Sequence, residues 1–166
     1  EFYCSSTRPP SVYRGNPFIV EAAIAYGGEQ PSDKSIKLLR FANRVPLIYQ
    51  QSAGSIAKAT IATTWRNYGL SQSSGALPIG PLTLAVHIAS VWVPFTSESK
   101  EAVAHYPEII KEIRLAIQEC GRKLGQYVHK KKRVGDEIKK RGYIEKYIPH
   151  VADALIDLLS LQKSKK

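Results

Sequence analysis

At 166 residues the chain is long enough for one domain with a proper core plus an appendage, and 43% apolar content with two tryptophans excludes a disordered polypeptide. Its apolar runs are interrupted too often to span a bilayer, so no membrane role is expected. A net charge of +10 favours anionic partners: nucleic acid, anionic lipid or acidic protein.

The polar stretch Glu1–Pro10 carries no secretory pattern. Two cysteines, Cys4 and Cys120, are too few and too far apart in sequence for a metal site or a disulfide framework, so a reducing, cytoplasmic setting is expected. Cys4 reads as exposed and adventitious, Cys120 as core. The chain has no methionine, so a start at Glu1 reads as a piece of a longer polypeptide, and Glu1-Phe2 is compatible with a cloning scar.

Residues 1–17 read as a turn-rich lead-in and 18–106 as an α+β core. Phe18, Val20, Ala22, Ile24 and Tyr26 alternate with a set containing Glu21, which predicts a strand. The Gly27-Gly28 to Asp33 connection leads to a second strand from Ile36 to about Val45, where Pro46 weakens the ladder or marks an edge. From Ser52 to Trp65 the spacing is helical, with Ser52 as N-cap and Ala53, Ile56, Ala57, Thr60, Ile61 and Thr64 on one face. Asn67–Pro81 reads as a mobile Gly/Ser/Pro-rich loop. Leu82, Leu84, Val86 and Ile88 alternate with Thr83, Ala85, His87 and Ala89, giving the clearest strand, which continues through Val91 and Val93 to Pro94.

Residues 107–147 read as a long basic helix or helices, with Pro107 in the first turn. Ile110, Ile113, Ile117, Cys120, Leu124 and Tyr127 form a heptad-like seam, best explained by one face packing on the sheet. Gly121 and Gly125 weaken the helix locally; Gly135 and Gly142 mark possible breaks. Residues 148–166 read as a short amphipathic segment and basic tail. The order strand, strand, helix, strand, long helix predicts an α+β sandwich, whose strand–helix–strand unit would by the general rule be right-handed if parallel.

Three segments are compositionally odd. They are Arg8-Pro9-Pro10-Ser11-Val12-Tyr13-Arg14-Gly15-Asn16-Pro17-Phe18-Ile19-Val20-Glu21, then Arg40-Phe41-Ala42-Asn43-Arg44-Val45-Pro46-Leu47-Ile48-Tyr49-Gln50, then Val86-His87-Ile88-Ala89-Ser90-Val91-Trp92-Val93-Pro94-Phe95-Thr96-Ser97-Glu98-Ser99-Lys100-Glu101-Ala102. They resemble the transducer domain of the B subunit of archaeal-type DNA topoisomerase VI, a type IIB topoisomerase, over most of Arg8 to about Arg133. The resemblance implies a sandwich like domain 2 of ribosomal protein S5 with a long C-terminal helix, and a left-handed crossover against the general rule. It also implies an upstream ATPase domain that pairs with a second B subunit, a DNA-cleaving A subunit, and double-stranded DNA as substrate. ATP and Mg2+ then serve the full subunit. Neither a phosphate-cradling glycine loop nor an Asp-x-Gly-x-Gly pattern occurs here, so this chain is expected to bind no nucleotide stably and to perform no bond chemistry alone.

Lys100 matches the switch lysine that, by the resemblance, reaches the terminal phosphate of ATP in the neighbouring domain; otherwise it is a solvated lysine near a helix start. A mobile point charge suits phosphate. Thr96, Ser97 and Ser99 read as turn or helix caps. Asn43 and Arg44 either brace an ATPase interface or form a turn held by asparagine, the structural role being favoured. His87 reads as half-buried and hydrogen-bonded, with no carboxylate nearby in sequence. Lys130, Lys131, Lys132 and Arg133, with Lys139, Lys140 and Arg141, are candidates for DNA phosphates, or the solvated end of a helix. Val151, Leu155, Leu158 and Leu159 are candidates for docking on the A subunit. The rival class is a stand-alone RNA- or ribosome-binding module of S5-like fold.

Overall fold

The computed structural model describes residues 1–49, 52–96 and 100–163. The elements are β1 (Phe2–Thr7), β2 (Ser11–Tyr13), β3 (Asn16–Tyr26), β4 (Lys37–Ala42), β5 (Val45–Pro46), α1 (Gly54–Ala62), a 3-10 turn (Trp65–Tyr68), β6 (Leu82–Ser90) and α2 (Pro107–Lys163). Contacts divide the chain into two units, Glu1–Val128 and His129–Lys166.

Alternation builds the first unit. One face of β3 and β6 carries Val20, Ala22, Ile24, Leu82, Leu84, Val86 and Ile88, all at most 2% exposed. The strand order is β1-β3-β6-β4-β5, with β2 also on β3. β3 and β6 run antiparallel in register Val20↔Ile88, whereas β4 and β6 run parallel with Ala42↔Ile88. The parallel pair needs a crossover, and α1 with the following loop supplies it. The seam of α2 meets this core through Ile113, Ile117, Cys120 and Leu124, each fully buried. Burying side chains of this size contributes about 1.5–3 kcal/mol each.

Several expectations change. The lead-in is not turn-rich coil: Phe2–Thr7 forms a strand paired with β3 from Phe2↔Tyr26 to Thr7↔Glu21. Its hydroxyl-rich composition hides the alternation, because Ser6 is buried by an ion-bearing helix rather than by apolar groups: its Oγ donates to Glu119 Oε2 at 2.7 Å. Arg8 Nε adds a 3.1 Å contact to Glu112 Oε2. Cys4 is half-buried, not exposed. The second strand ends at Ala42 and folds back as β5. Ser52 does not cap α1, whose N-cap is Ala53 without a side-chain bond. β6 stops at Ser90, where its Oγ donates to Pro17 O at 2.8 Å and accepts from the Trp92 N–H at 3.3 Å.

The loop after the 3-10 turn is held in place. Gln72 accepts from the Trp65 N–H at 3.1 Å and donates to Ile61 O at 2.9 Å, and Arg66 bonds Gln72 O at 2.7 Å. Gly121 is explained by the same region: a Cβ there would meet the Tyr68 ring at 2.5 Å.

In the second unit neither Gly135, Gly142 nor Pro149 breaks the helix, which is continuous from Pro107 to Lys163. The short segment expected from 148 onward is therefore its last turns. Proline removes one backbone donor, yet the helix runs on through Pro149 to Lys163. All side chains from His129 to Leu159 are exposed, apart from the partly covered Gly135.

Candidate functional site

The strand ends of β4 and β6 and the loop that follows β6 carry Asn43, Arg44, His87 and Lys100. Asn43 and Arg44 join β4 to β5 with φ of 47° and 68°. Two positive φ values in a two-residue hairpin are the signature of a type I′ turn, for which asparagine is favoured. Asn43 fastens this turn to β6: its Nδ2 donates to Ser90 O and its Oδ1 accepts from the Ser90 N–H, both at 2.9 Å. The structural role of Asn43 is thus accounted for by backbone bonds across the sheet.

His87 joins a group from the β4–β5 turn to one from β3. The Arg44 N–H donates to His87 Nε2 at 3.1 Å, and His87 Nδ1 lies 2.8 Å from Glu21 Oε2. Because Nε2 accepts, the neutral ring carries its proton on Nδ1 and donates it to Glu21. The carboxylate partner is invisible in sequence because it comes from β3, opposite His87 in the β3–β6 register.

Arg40 is a further residue of this region, marked in sequence by no motif of its own. It sits at an inward position of β4, is 4% exposed, and donates to Leu47 O at 2.9 Å, Tyr49 O at 2.7 Å and Ala53 O at 3.2 Å. Burial lowers its pKa from the ordinary value. Its guanidinium holds the carbonyls of Leu47, Tyr49 and Ala53 around one buried fork of donors. An arginine among alternating apolar residues was the available signal.

Lys100 lies on a loop whose base is a small ladder. The Thr96 N–H donates to Ala102 O at 2.9 Å and the Ala104 N–H to Pro94 O at 2.8 Å, while Thr96 Oγ1 also donates to Ala102 O at 3.3 Å. The base is locked to α1, because the Ser55 N–H donates to Val103 O at 2.9 Å and Ala102 and Val103 are 1% exposed. Gly54 makes this approach possible: its φ is +90°, and a Cβ would meet Ala102 Cβ at 3.0 Å. Lys100 is exposed, with φ of 54°. Ser97 and Ser99 lie outside the described residues, as does Gln50.

The remaining candidates belong to the second unit. Lys130, Lys131, Lys132, Arg133, Lys139, Lys140 and Arg141 are all exposed on α2. They do not share a stripe. At about 100° per residue, Lys132 and Lys139 point away from Val134 and Ile138, whereas Lys130 and Arg141 flank them. The result is a positive collar around the helix. Val151, Leu155, Leu158 and Leu159 are 55–63% exposed. Among the described residues no three His, Cys, Asp or Glu side chains stand together as metal ligands, and no helix is long and apolar enough to cross a membrane.

A family model described as topoisomerase VI B subunit, transducer, matches residues 1–140. The chain is 47% identical over 159 residues to the B subunit of type 2 DNA topoisomerase 6 from Methanococcoides burtonii and 46% identical over 159 residues to the same subunit from Archaeoglobus fulgidus, covering 96% of this chain and 26% of the relative in each case. It thus spans about a quarter of the length of the curated relatives it matches. A crystal structure of the B-subunit of DNA gyrase from Myxococcus xanthus superposes with a TM-score of 0.45 at 22% identity, over 72% of this chain and 34% of that chain, and adds no weight to the assignment. The RNA- or ribosome-binding alternative finds no support in these matches. The fold is a mixed α+β sheet with a long C-terminal helix, and the chain belongs to the transducer family of the topoisomerase VI B subunit.

Proposed function

We propose that this chain couples ATP binding and hydrolysis in a neighbouring domain to opening of a DNA gate and duplex passage. The observation that carries the reading is the Lys100 loop: an exposed ammonium on a loop whose base is a small ladder hydrogen-bonded to α1. Such a lysine can pair with a terminal phosphate in one state and lose its partner after hydrolysis, and the bonded base carries the change into the core. The residues present fit contact with a phosphate held elsewhere; ATP and Mg2+ belong to the upstream ATPase domain, through which two B subunits pair in the cytoplasm. Asn43 and Arg44 brace the same end of the sheet against that domain. The parallel β4–β6 pair joined through α1 supports an S5 domain 2-like topology, for which the resemblance implies a left-handed crossover.

In the second unit the positive collar meets DNA phosphates without sequence preference. The apolar residues Val151, Leu155, Leu158 and Leu159 dock on the A subunit. One reconstituted holoenzyme tests all three parts. Lys100→Ala slows ATP hydrolysis or strand passage by roughly tenfold or more, the scale of one lost charge-assisted bond; unchanged rates remove Lys100 from the mechanism. Neutralising Lys130, Lys131, Lys132 and Arg133 lowers the log–log salt slope of duplex binding by up to about 0.9 per contact; an unaltered slope returns them to solvent. Leu155→Asp with Leu158→Asp weakens association with the A subunit while the first unit keeps its melting temperature; retained affinity rejects the docking surface.

A further inference from the structure

The two cysteines, 116 positions apart in sequence, meet in the fold. We propose that Cys4 and Cys120 form a site of reversible oxidative modification, at which a hydroperoxide converts the thiol pair into a disulfide that staples β1 to α2. Cys4 reaches inward from the edge strand β1 and its Sγ donates to Cys120 O at 3.6 Å. Cys120 reaches the same layer from the helix and its Sγ donates to Ala22 O at 3.5 Å. Ile24, the register partner of Cys4, lies two residues from Ala22 on the same face of β3. The surrounding contacts keep the pair together: Phe2 stacks on Tyr127 with centroids 4.9 Å apart, Ser6 bonds Glu119, and Lys123 Nζ donates to Ser5 O at 3.1 Å.

The two thiols are unequal. Cys4 is half-buried at the sheet edge, and Cys120 is fully enclosed. The neighbouring Cys120 side chain, helped by Lys123, holds the Cys4 thiol below the ordinary range, and the Cys4 side chain together with burial raises that of Cys120. The reachable, acidified thiol is the one a hydroperoxide oxidises first, and Cys120 is placed to resolve it by its contact with Cys4. In the first step the Cys4 thiolate attacks one oxygen of the hydroperoxide and the O–O bond breaks. For hydrogen peroxide the leaving hydroxide takes a proton and becomes water, and Cys4 is left as a sulfenic acid. Cys120 sulfur then attacks Cys4 sulfur, displacing hydroxide, which leaves as water with the Cys120 proton. Two thiols and one hydrogen peroxide give one disulfide and two waters, the two sulfurs having supplied two electrons. A dithiol reductant reverses the change.

The test uses the full-length protein, treated with equimolar hydrogen peroxide, blocked with N-ethylmaleimide, digested with trypsin without reductant and weighed. The expected product joins the peptide ending at Arg14 to the peptide 115–122 with the loss of two hydrogens, and disappears on reduction with dithiothreitol. In Cys120→Ser the Cys4 sulfenic acid accumulates and is trapped by dimedone. In Cys4→Ser, Cys120 stays unmodified. Oxidation of wild-type Cys4 to a sulfinic acid with Cys120 free overturns the proposal. So does a disulfide between Cys4 residues of two copies, or modification of Cys120 at the wild-type rate in Cys4→Ser.

Discussion

The two halves of α2 carry the same kind of apolar seam with opposite outcomes. In the first unit Ile113, Ile117, Cys120 and Leu124 are fully buried against the sheet. In the second, Val134, Ile138, Ile148, Val151, Leu155 and Leu158 are 47–67% exposed. Periodicity decides that a helix has an apolar face; it does not say what covers it. The glycines repeat the lesson. Gly121 and Gly125 lie against Tyr68, whereas a Cβ at Gly135 or Gly142 meets nothing within 4 Å.

The sharpest way to break this contrast is truncation on each side of it. Leu124→Ala is expected to cost about 2–5 kcal/mol of unfolding free energy, because it leaves a cavity in a closed core. Leu155→Ala, on an exposed face, is expected to stay within about 0.5 kcal/mol when no partner is present. Denaturant titration of both variants measures the difference, and equal losses would mean the second seam is covered in solution.

Glycine replacement gives a smaller effect of opposite sign in the two halves. Gly121→Ala drives a methyl into the Tyr68 ring and is expected to destabilise by about 1–3 kcal/mol. Gly142→Ala removes only backbone freedom and is expected to stabilise the helix by about 1 kcal/mol. Thermal melts followed by circular dichroism decide it; destabilisation by Gly142→Ala would reveal a neighbour at that position.

The smallest effect concerns acid. The Ser6 hydroxyl, with Lys123, Arg8 and Arg122 nearby, holds the Glu119 carboxyl below the ordinary carboxylate value of 4.5. A depressed folded-state pKa contributes stability that is present above the unfolded value and lost as pH falls through the folded one. Melting temperature should therefore fall more steeply for the wild type than for Glu119→Gln as pH drops below 4.5. Parallel curves would remove Glu119 from the β1–α2 contact.

Much of this molecule was legible in its residues. The alternation of Phe18–Tyr26 and Leu82–Ile88 marked both central strands, and the spacing of Ile110–Tyr127 marked the face of α2 that meets them. The odd segments around Arg14, Asn43 and Lys100 pointed to the family. These are local properties, set by the periods of strand and helix and by composition. Tertiary structure alone decided the rest. β1 is a strand because β3 offers it a ladder and Glu119 receives its Ser6 hydroxyl, with Arg8 just beyond the strand held by Glu112, contacts made from more than a hundred residues away. His87 found Glu21, Arg40 found three carbonyls, and Cys4 found Cys120 only when strand register and the docking of α2 were fixed. Polar groups are satisfied by specific partners in space, and a one-dimensional pattern records the need for a partner but not its address.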